Sequence, residues 1–156
     1  MTDEVVRARL AAALWESDRH RAALEEALAE WQSRAAPSIE ALETDSALRR
    51  LIDQILYRFT KLQDAMGDRL VPATLGWLRE PHEARAIRDR LDRLDRLERL
   101  DYLDVEAWLA WRDVRNRLAP ECPGEADRRR AAVLATVAAA AAMVGGYQAW
   151  KGLLPG

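Results

Sequence analysis

Residues 47–66 read Ala47-Leu48-Arg49-Arg50-Leu51-Ile52-Asp53-Gln54-Ile55-Leu56-Tyr57-Arg58-Phe59-Thr60-Lys61-Leu62-Gln63-Asp64-Ala65-Met66. Leu48, Ile52, Ile55, Phe59, Leu62 and Met66 recur at four, three, four, three and four. That is the period of one helix face, and it predicts an amphipathic core helix beginning near Ser38 or Thr44. Tyr57, Arg58, Lys61 and Asp64 fall off the stripe, free to reach a ligand or a neighbouring subunit. Gly67 and Pro72 are expected to bend or break the element, with Leu70, Leu75, Trp77 and Leu78 extending the apolar surface beyond.

Towards the N-terminus, Val6, Leu10, Leu14, Leu24, Leu28 and Trp31 keep near one stripe, interrupted at Ser17 and the His20/Arg21 turn. A helix over about 3–33 follows, capped by Thr2 and stopped at Ala35-Ala36-Pro37-Ser38. His20 reads as a hydrogen-bonded interior or solvated histidine rather than a catalytic one. Towards the C-terminus, Arg79-Glu80-Pro81-His82 is a loop. Leu91, Leu94, Leu97, Leu100 and Leu103 then stand three apart. Three residues advance a helix by about 300°, so these leucines drift round the axis instead of forming a seam. The reading is a helix ending near Leu100, a turn through Asp101–Leu103, and Asp104 capping the next helix. Asp101 occupies a turn position where glycine is expected, which implies strain or a shifted boundary.

The next helix, about 105–118, carries Val105, Trp108, Trp111, Arg115 and Leu118 on one face. Arg115 is costly there unless a partner or an anion satisfies it. Trp108 and Trp111 read as core or dimer anchors rather than base-stacking platforms. Ala119 before Pro120 ends the helix, residues 121–124 form a turn, and 125–152 is the final helix. On that helix Val133, Val137, Val144, Tyr147 and Lys151 share a face. Residues 131–150 are uncharged and long enough to span a membrane. Their alanine and glycine content and that face instead predict a packed helix with no membrane. Gly145-Gly146 lets another helix approach or introduces a bend.

Composition agrees. The 156 residues include 29 Ala, 22 Leu and 22 Arg against 17 Val, Ile and Thr combined. That predicts one all-α domain over residues 1–156, an up-and-down bundle of about five helices. A net charge of −2 names no polyanionic partner, and the 22 Arg to 2 Lys excess reads as coding bias. Cys122 stands alone, and His20, His82 and Cys122 lie 62 and 40 residues apart, which excludes zinc spacing. Glu16 and His20 have the wrong spacing for a di-iron bundle, no phosphate-cradling glycine loop occurs, and no nucleophile elbow is present. No metal and no cofactor are expected. The acidic start Met1-Thr2-Asp3-Glu4 is unlike a signal peptide, so the expected location is the cytoplasm.

Three segments together resemble the HEPN family, and within it the HepT-like proteins encoded beside minimal nucleotidyltransferases. They are Arg58-Phe59-Thr60-Lys61-Leu62-Gln63-Asp64-Ala65-Met66-Gly67, the Leu91-Asp92-Arg93-Leu94 and Leu97-Glu98-Arg99-Leu100 repeats, and Arg115-Asn116-Arg117-Leu118-Ala119-Pro120-Glu121-Cys122-Pro123. The resemblance covers about 45–150 and leaves the first helix unmatched. In the family pattern Arg-Asn-x-x-x-His-x-Tyr, Arg115 and Asn116 match, Pro120 replaces the histidine and Cys122 replaces the tyrosine.

In active relatives the resemblance implies metal-independent RNA cleavage at a two-fold dimer interface. There arginine holds the scissile phosphate, histidine moves protons, and the tyrosine accepts AMP from the partner enzyme. Pro120 has no titratable group, and a positioned acid/base supplies ~10²–10⁴ in rate. Symmetry gives both protomers the same loss. His82 lacks motif support as a substitute, and Cys122 is one thiol with no matched base.

What remains is a degenerate site in which Arg115 and Asn116, with Arg58, Lys61 and Arg117 nearby if the bundle packs as in the family, bind RNA or nucleotide phosphates. The other reading leaves Arg115 and Asn116 to a dimer contact, pairing with Asp113 or Glu121. The expected protein is a homodimeric, non-cleaving toxin–antitoxin component that binds a nucleotidyltransferase. Its alternatives are an active ribonuclease toxin with a rearranged site and a substrate-binding subunit of a nucleotidyltransferase. Another ionisable side chain beside the Arg115 guanidinium in a solvent-reachable groove would overturn the inert reading.

Overall fold

The stripe at 48–66 lies where helix α3, Ser46–Ala65, packs along α1, Asp3–Gln32. The computed structural model describes residues 2–80, 87–117 and 125–155. Its other elements are α2 (Ile39–Thr44), a π-helical turn (Met66–Leu70), α4 (Val71–Trp77), α5 (Ile87–Arg99), α6 (Val105–Asn116) and α7 (Ala126–Gly152). No strand occurs among the described residues, and the protein is an all-α helical bundle.

Side-chain caps set the helix starts. Thr2 accepts from the Val5 N–H at 3.3 Å, Ser38 from Ala41 at 3.0 Å, Asp45 from Leu48 at 3.0 Å and Asp104 from Ala107 at 3.2 Å. Both expected starts of the second element are used, Ser38 for the short α2 and the residue after Thr44 for α3.

Ser17 is fully buried, so α1 keeps its packed face through the polar gap that looked like an interruption. Gly67 and Pro72 do not break the chain either. The Val71 N–H reaches back five residues to Met66, widening one turn, and Pro72 falls in the first turn of α4, where a missing donor costs little. Gly67 instead admits Trp108, whose Cζ2 would stand 3.1 Å from an added Cβ.

On α5 the leucines drift as their spacing requires: Leu94 and Leu97 are buried, Leu100 is exposed, and Leu103 is buried in the turn. The side chain of Leu91 lies outside the described residues. Asp101 takes the left-handed conformation at φ 65°, and the Tyr102 N–H closes the helix on the Leu97 carbonyl at 2.9 Å.

The packed face of α7 differs from the expected one. It consists of Thr136, Ala139, Ala140, Met143, Val144, Tyr147 and Trp150, whereas Val133 and Val137 are half-buried and Lys151 is exposed. The larger side chains decide the face, and Trp150 anchors it by donating its indole N–H to Thr74 Oγ1 at 3.1 Å. By length and composition α7 could also cross a membrane.

The seam with α1 is polar at one point. Tyr147 donates its hydroxyl to Asp18 Oδ1 at 2.7 Å, and Lys151 Nζ donates to Oδ2 at 2.9 Å. Burial pushes the Tyr147 hydroxyl far up, and the Asp18 carboxylate adds to that.

Candidate anion-binding site

Trp108 and Trp111 turn inward from α6 and meet edge to face with centroids 6.3 Å apart. With Trp108 of α6 on Gly67, just past the end of α3, Arg115 emerges two turns later beside residues 63 and 64. Its Nη1 donates to Asp64 Oδ1 in a close ion pair and to Gln63 Oε1 at 3.4 Å. The side chains of Arg115 and Asp64 are 32% and 40% exposed, so water and solutes reach the pair. Gln63 is buried, and its Nε2 has no hydrogen-bond partner.

Arg115 thus has its described partners on α3, and Asp113 is committed elsewhere. Asp113 pairs with Arg117 at 3.1 Å, and Glu121 lies outside the described residues. Asn116 is exposed at the end of α6. Pro120, Cys122 and His82 also lie outside the described residues.

Of the three cations expected near Arg115, Arg58 and Arg117 make their described contacts elsewhere. Arg58 precedes Asp64 by six residues, which on a helix is about 120° of rotation, and it faces α1. There its Nη1 donates to His20 Nδ1 at 3.0 Å. Lys61 Nζ lies 5.7 Å from the Tyr57 ring centroid. Arg117 lies on the rim of a cleft of about 300 Å³ between α2, α3 and the start of α7, with Arg49 and Arg129 over a floor that includes Ile52, Leu56 and Val133. Arg129 is already held by Glu43 at 2.9 Å.

His20 was not read as a partner of Arg58, although both lie at the edges of packed stripes. Arginine has only donors, so Nδ1 is the acceptor and the ring proton sits on Nε2, directed to Glu16 at 4.0 Å. Burial lowers the His20 pKa below its ordinary value, and Arg58 lowers it further, against the opposing pull of Glu16. The ring is therefore neutral, and it fixes Arg58 without cancelling its charge.

Chemically, Arg115 is a positioned guanidinium with one carboxylate in contact. Asp64 can accept a proton, but no imidazole touches the pair among the described residues. No group of three His, Cys, Asp or Glu fit to hold a metal occurs among those residues. No family model matches the chain, and neither a curated protein nor a solved structure matches it.

Proposed function

We propose that the protein is a HEPN-like, HepT-like component of a toxin–antitoxin-type pair: a homodimer that binds a nucleotidyltransferase partner and RNA or nucleotide phosphates without cleaving them. The supporting observation is the setting of Arg115. Its guanidinium is half-open to water and held in place by Asp64 and Gln63, with the neighbouring Asn116 exposed. The contacts with Asp64 and Gln63 both use Nη1, and a phosphate oxygen would bind through the other donors of the guanidinium. Cleavage of a ribose-phosphate backbone needs proton transfer at both the 2′-hydroxyl and the leaving oxygen. The position that carries the family's histidine holds Pro120.

The test is a cleavage assay on RNA with chelator present, beside a binding assay on the same RNA. The expected result is no cleavage, with binding weakened about tenfold by Arg115→Ala, the loss of one charge-assisted contact. Pro120→His with Cys122→Tyr is expected to create cleavage in an inert parent. Cleavage by the parent that Arg115→Ala abolishes would overturn the reading.

Asp64 favours a second reading, an active metal-independent ribonuclease with a rearranged site. It is an ionisable group in hydrogen-bond contact with Arg115 in a solvent-reachable position. Under this reading Asp64 is the general base, and Asp64→Asn removes cleavage while leaving RNA bound. This is the ionisable neighbour that overturns a wholly inert site; what it lacks is an acid, since a single carboxylate tied to the guanidinium supplies only a base, and the cleavage assay separates the two accounts.

A further inference from the structure

Away from Arg115, the α1–α3 face carries a second basic surface. Arg19, Arg58, Lys61 and Arg69 lie around His20 and Glu16, and Glu16 is the one carboxylate in contact with any of the four among the described residues. These four cations meet one carboxylate between them, because Asp18 and Asp64, their near neighbours in sequence, are turned to Lys151 and Arg115, which leaves Asp68 beside Arg69 as the other adjacent acid. Glu16 is itself committed to Arg69 at 2.9 Å. Arg58 is held by a neutral ring, so its charge stays available.

Two exposed aromatic side chains stand beside these cations, one on each helix. Trp15 is 62% exposed with the Arg19 guanidinium 4.7 Å from its ring, and Tyr57 is 54% exposed with Arg58 and Lys61 at 5.4 and 5.7 Å. Both point away from the core stripes of their helices, where apolar burial gives no reason for an aromatic. Rings left in water with cations beside them combine what unpaired bases and their phosphates require, a stacking face and a counter-charge.

We propose that this face binds single-stranded RNA, with bases stacking on Tyr57 and Trp15 and phosphates gripped by Arg19, Arg58 and Lys61. The inference rests on the reading above for its ligand class, but it places the strand on the α1–α3 face, where Lys61 stands one turn of α3 before Asp64, the partner of Arg115. A duplex hides its base faces within its own stack and cannot use the two rings.

The experiment is fluorescence anisotropy on the full chain with labelled twelve-nucleotide oligo(U) and oligo(A), and with a hairpin duplex as the third probe. Tyr57→Ala and Trp15→Ala are each expected to weaken single-strand binding about tenfold, within the range for one stacked base, while Tyr57→Phe retains it. Lys61→Ala is expected to weaken both single strands alike and to flatten the salt dependence by about 0.7 in log–log slope. The hairpin should bind more weakly than either single strand. Circular dichroism of each variant checks folding.

If RNA binds and only Arg115→Ala weakens it, this inference is overturned and the Arg115 reading stands. Weakening by Tyr57→Ala and Trp15→Ala but not by Arg115→Ala supports the inference and removes the other. Absence of RNA binding overturns both, and binding to phosphatidylserine vesicles in its place identifies the patch as a membrane surface and also overturns this one.

Discussion

The indole of Trp111 fills the space that a β-carbon on Gly146 would need: Cη2 would stand 2.8 Å from it, well inside contact distance. The adjacent Gly145 has nothing within 4 Å of the same position. Both glycines lie inside α7, where alanine is favoured by about 1 kcal/mol. Gly145→Ala is therefore expected to stabilise the protein by about that much. Gly146→Ala must push a buried tryptophan aside at a cost of about 1–3 kcal/mol, which outweighs the helix gain and leaves a net loss of about 1 kcal/mol. Denaturant midpoints of the two variants, moving in opposite directions, check the α6–α7 packing.

Asp101 caps α5 in the left-handed region at φ 65°. An L side chain is strained there and glycine is not. Asp101→Gly is expected to raise stability by about 1 kcal/mol, read as a higher thermal midpoint with unchanged helix content.

Thr74 is fully buried and accepts the Trp150 indole N–H. Thr74→Val keeps the shape and removes the acceptor, so a buried donor is orphaned at a cost of about 1–3 kcal/mol. A lowered urea midpoint with an unchanged slope is the expected outcome.

The α3 stripe was legible because six large apolar residues keep the helical period with polar residues between them. Asp101 and Asp104 were legible because a three-residue leucine spacing cannot remain on one face. The face of α7 was not: with alanine at so many positions every face looks alike, and packing of Thr136, Met143, Tyr147 and Trp150 decides. Ser17 was misleading because a small hydroxyl fits where two helices come close. At the site, the six-residue separation of Arg58 from Asp64 already turned the two apart. The Arg115–Asp64 pair depends on how α6 crosses α3, which no local pattern specifies.

Stability should fall in two steps on acidification. His20 has a folded pKa below the ordinary value of about 6.5, because burial and then Arg58 disfavour its charged form. Between the folded and unfolded values the unfolded chain binds more protons, so stability rises with pH there. This contribution is complete above about 6.5 and declines as pH falls from there to the folded pKa. Asp18 is also lowered: burial alone would raise it, but the hydrogen bonds from Lys151 and Tyr147 prevail. Its contribution is present above about 3.9 and is lost as pH falls through the folded value. His20→Gln is expected to flatten the upper step alone, and Asp18→Asn to reduce the lower one, which Asp45 shares because the Leu48 N–H holds its carboxyl below the ordinary value, in midpoints measured from pH 8 to 3.

Gln63 separates a site kept for binding from one kept for packing. Its Oε1 takes a long bond from Arg115 at 3.4 Å, while its Nε2 is buried without a partner. An orphaned amide donor costs about 1–3 kcal/mol, more than a bond of that length returns when Asp64 already holds the guanidinium. Gln63→Met keeps the unbranched shape and removes both amide groups. The expected result is a gain of about 1 kcal/mol in unfolding free energy, together with weaker RNA binding because Arg115 loses one of its two fixed acceptors. A destabilised variant would mean that Nε2 has a partner in solution, and unchanged RNA binding would assign Gln63 to packing alone.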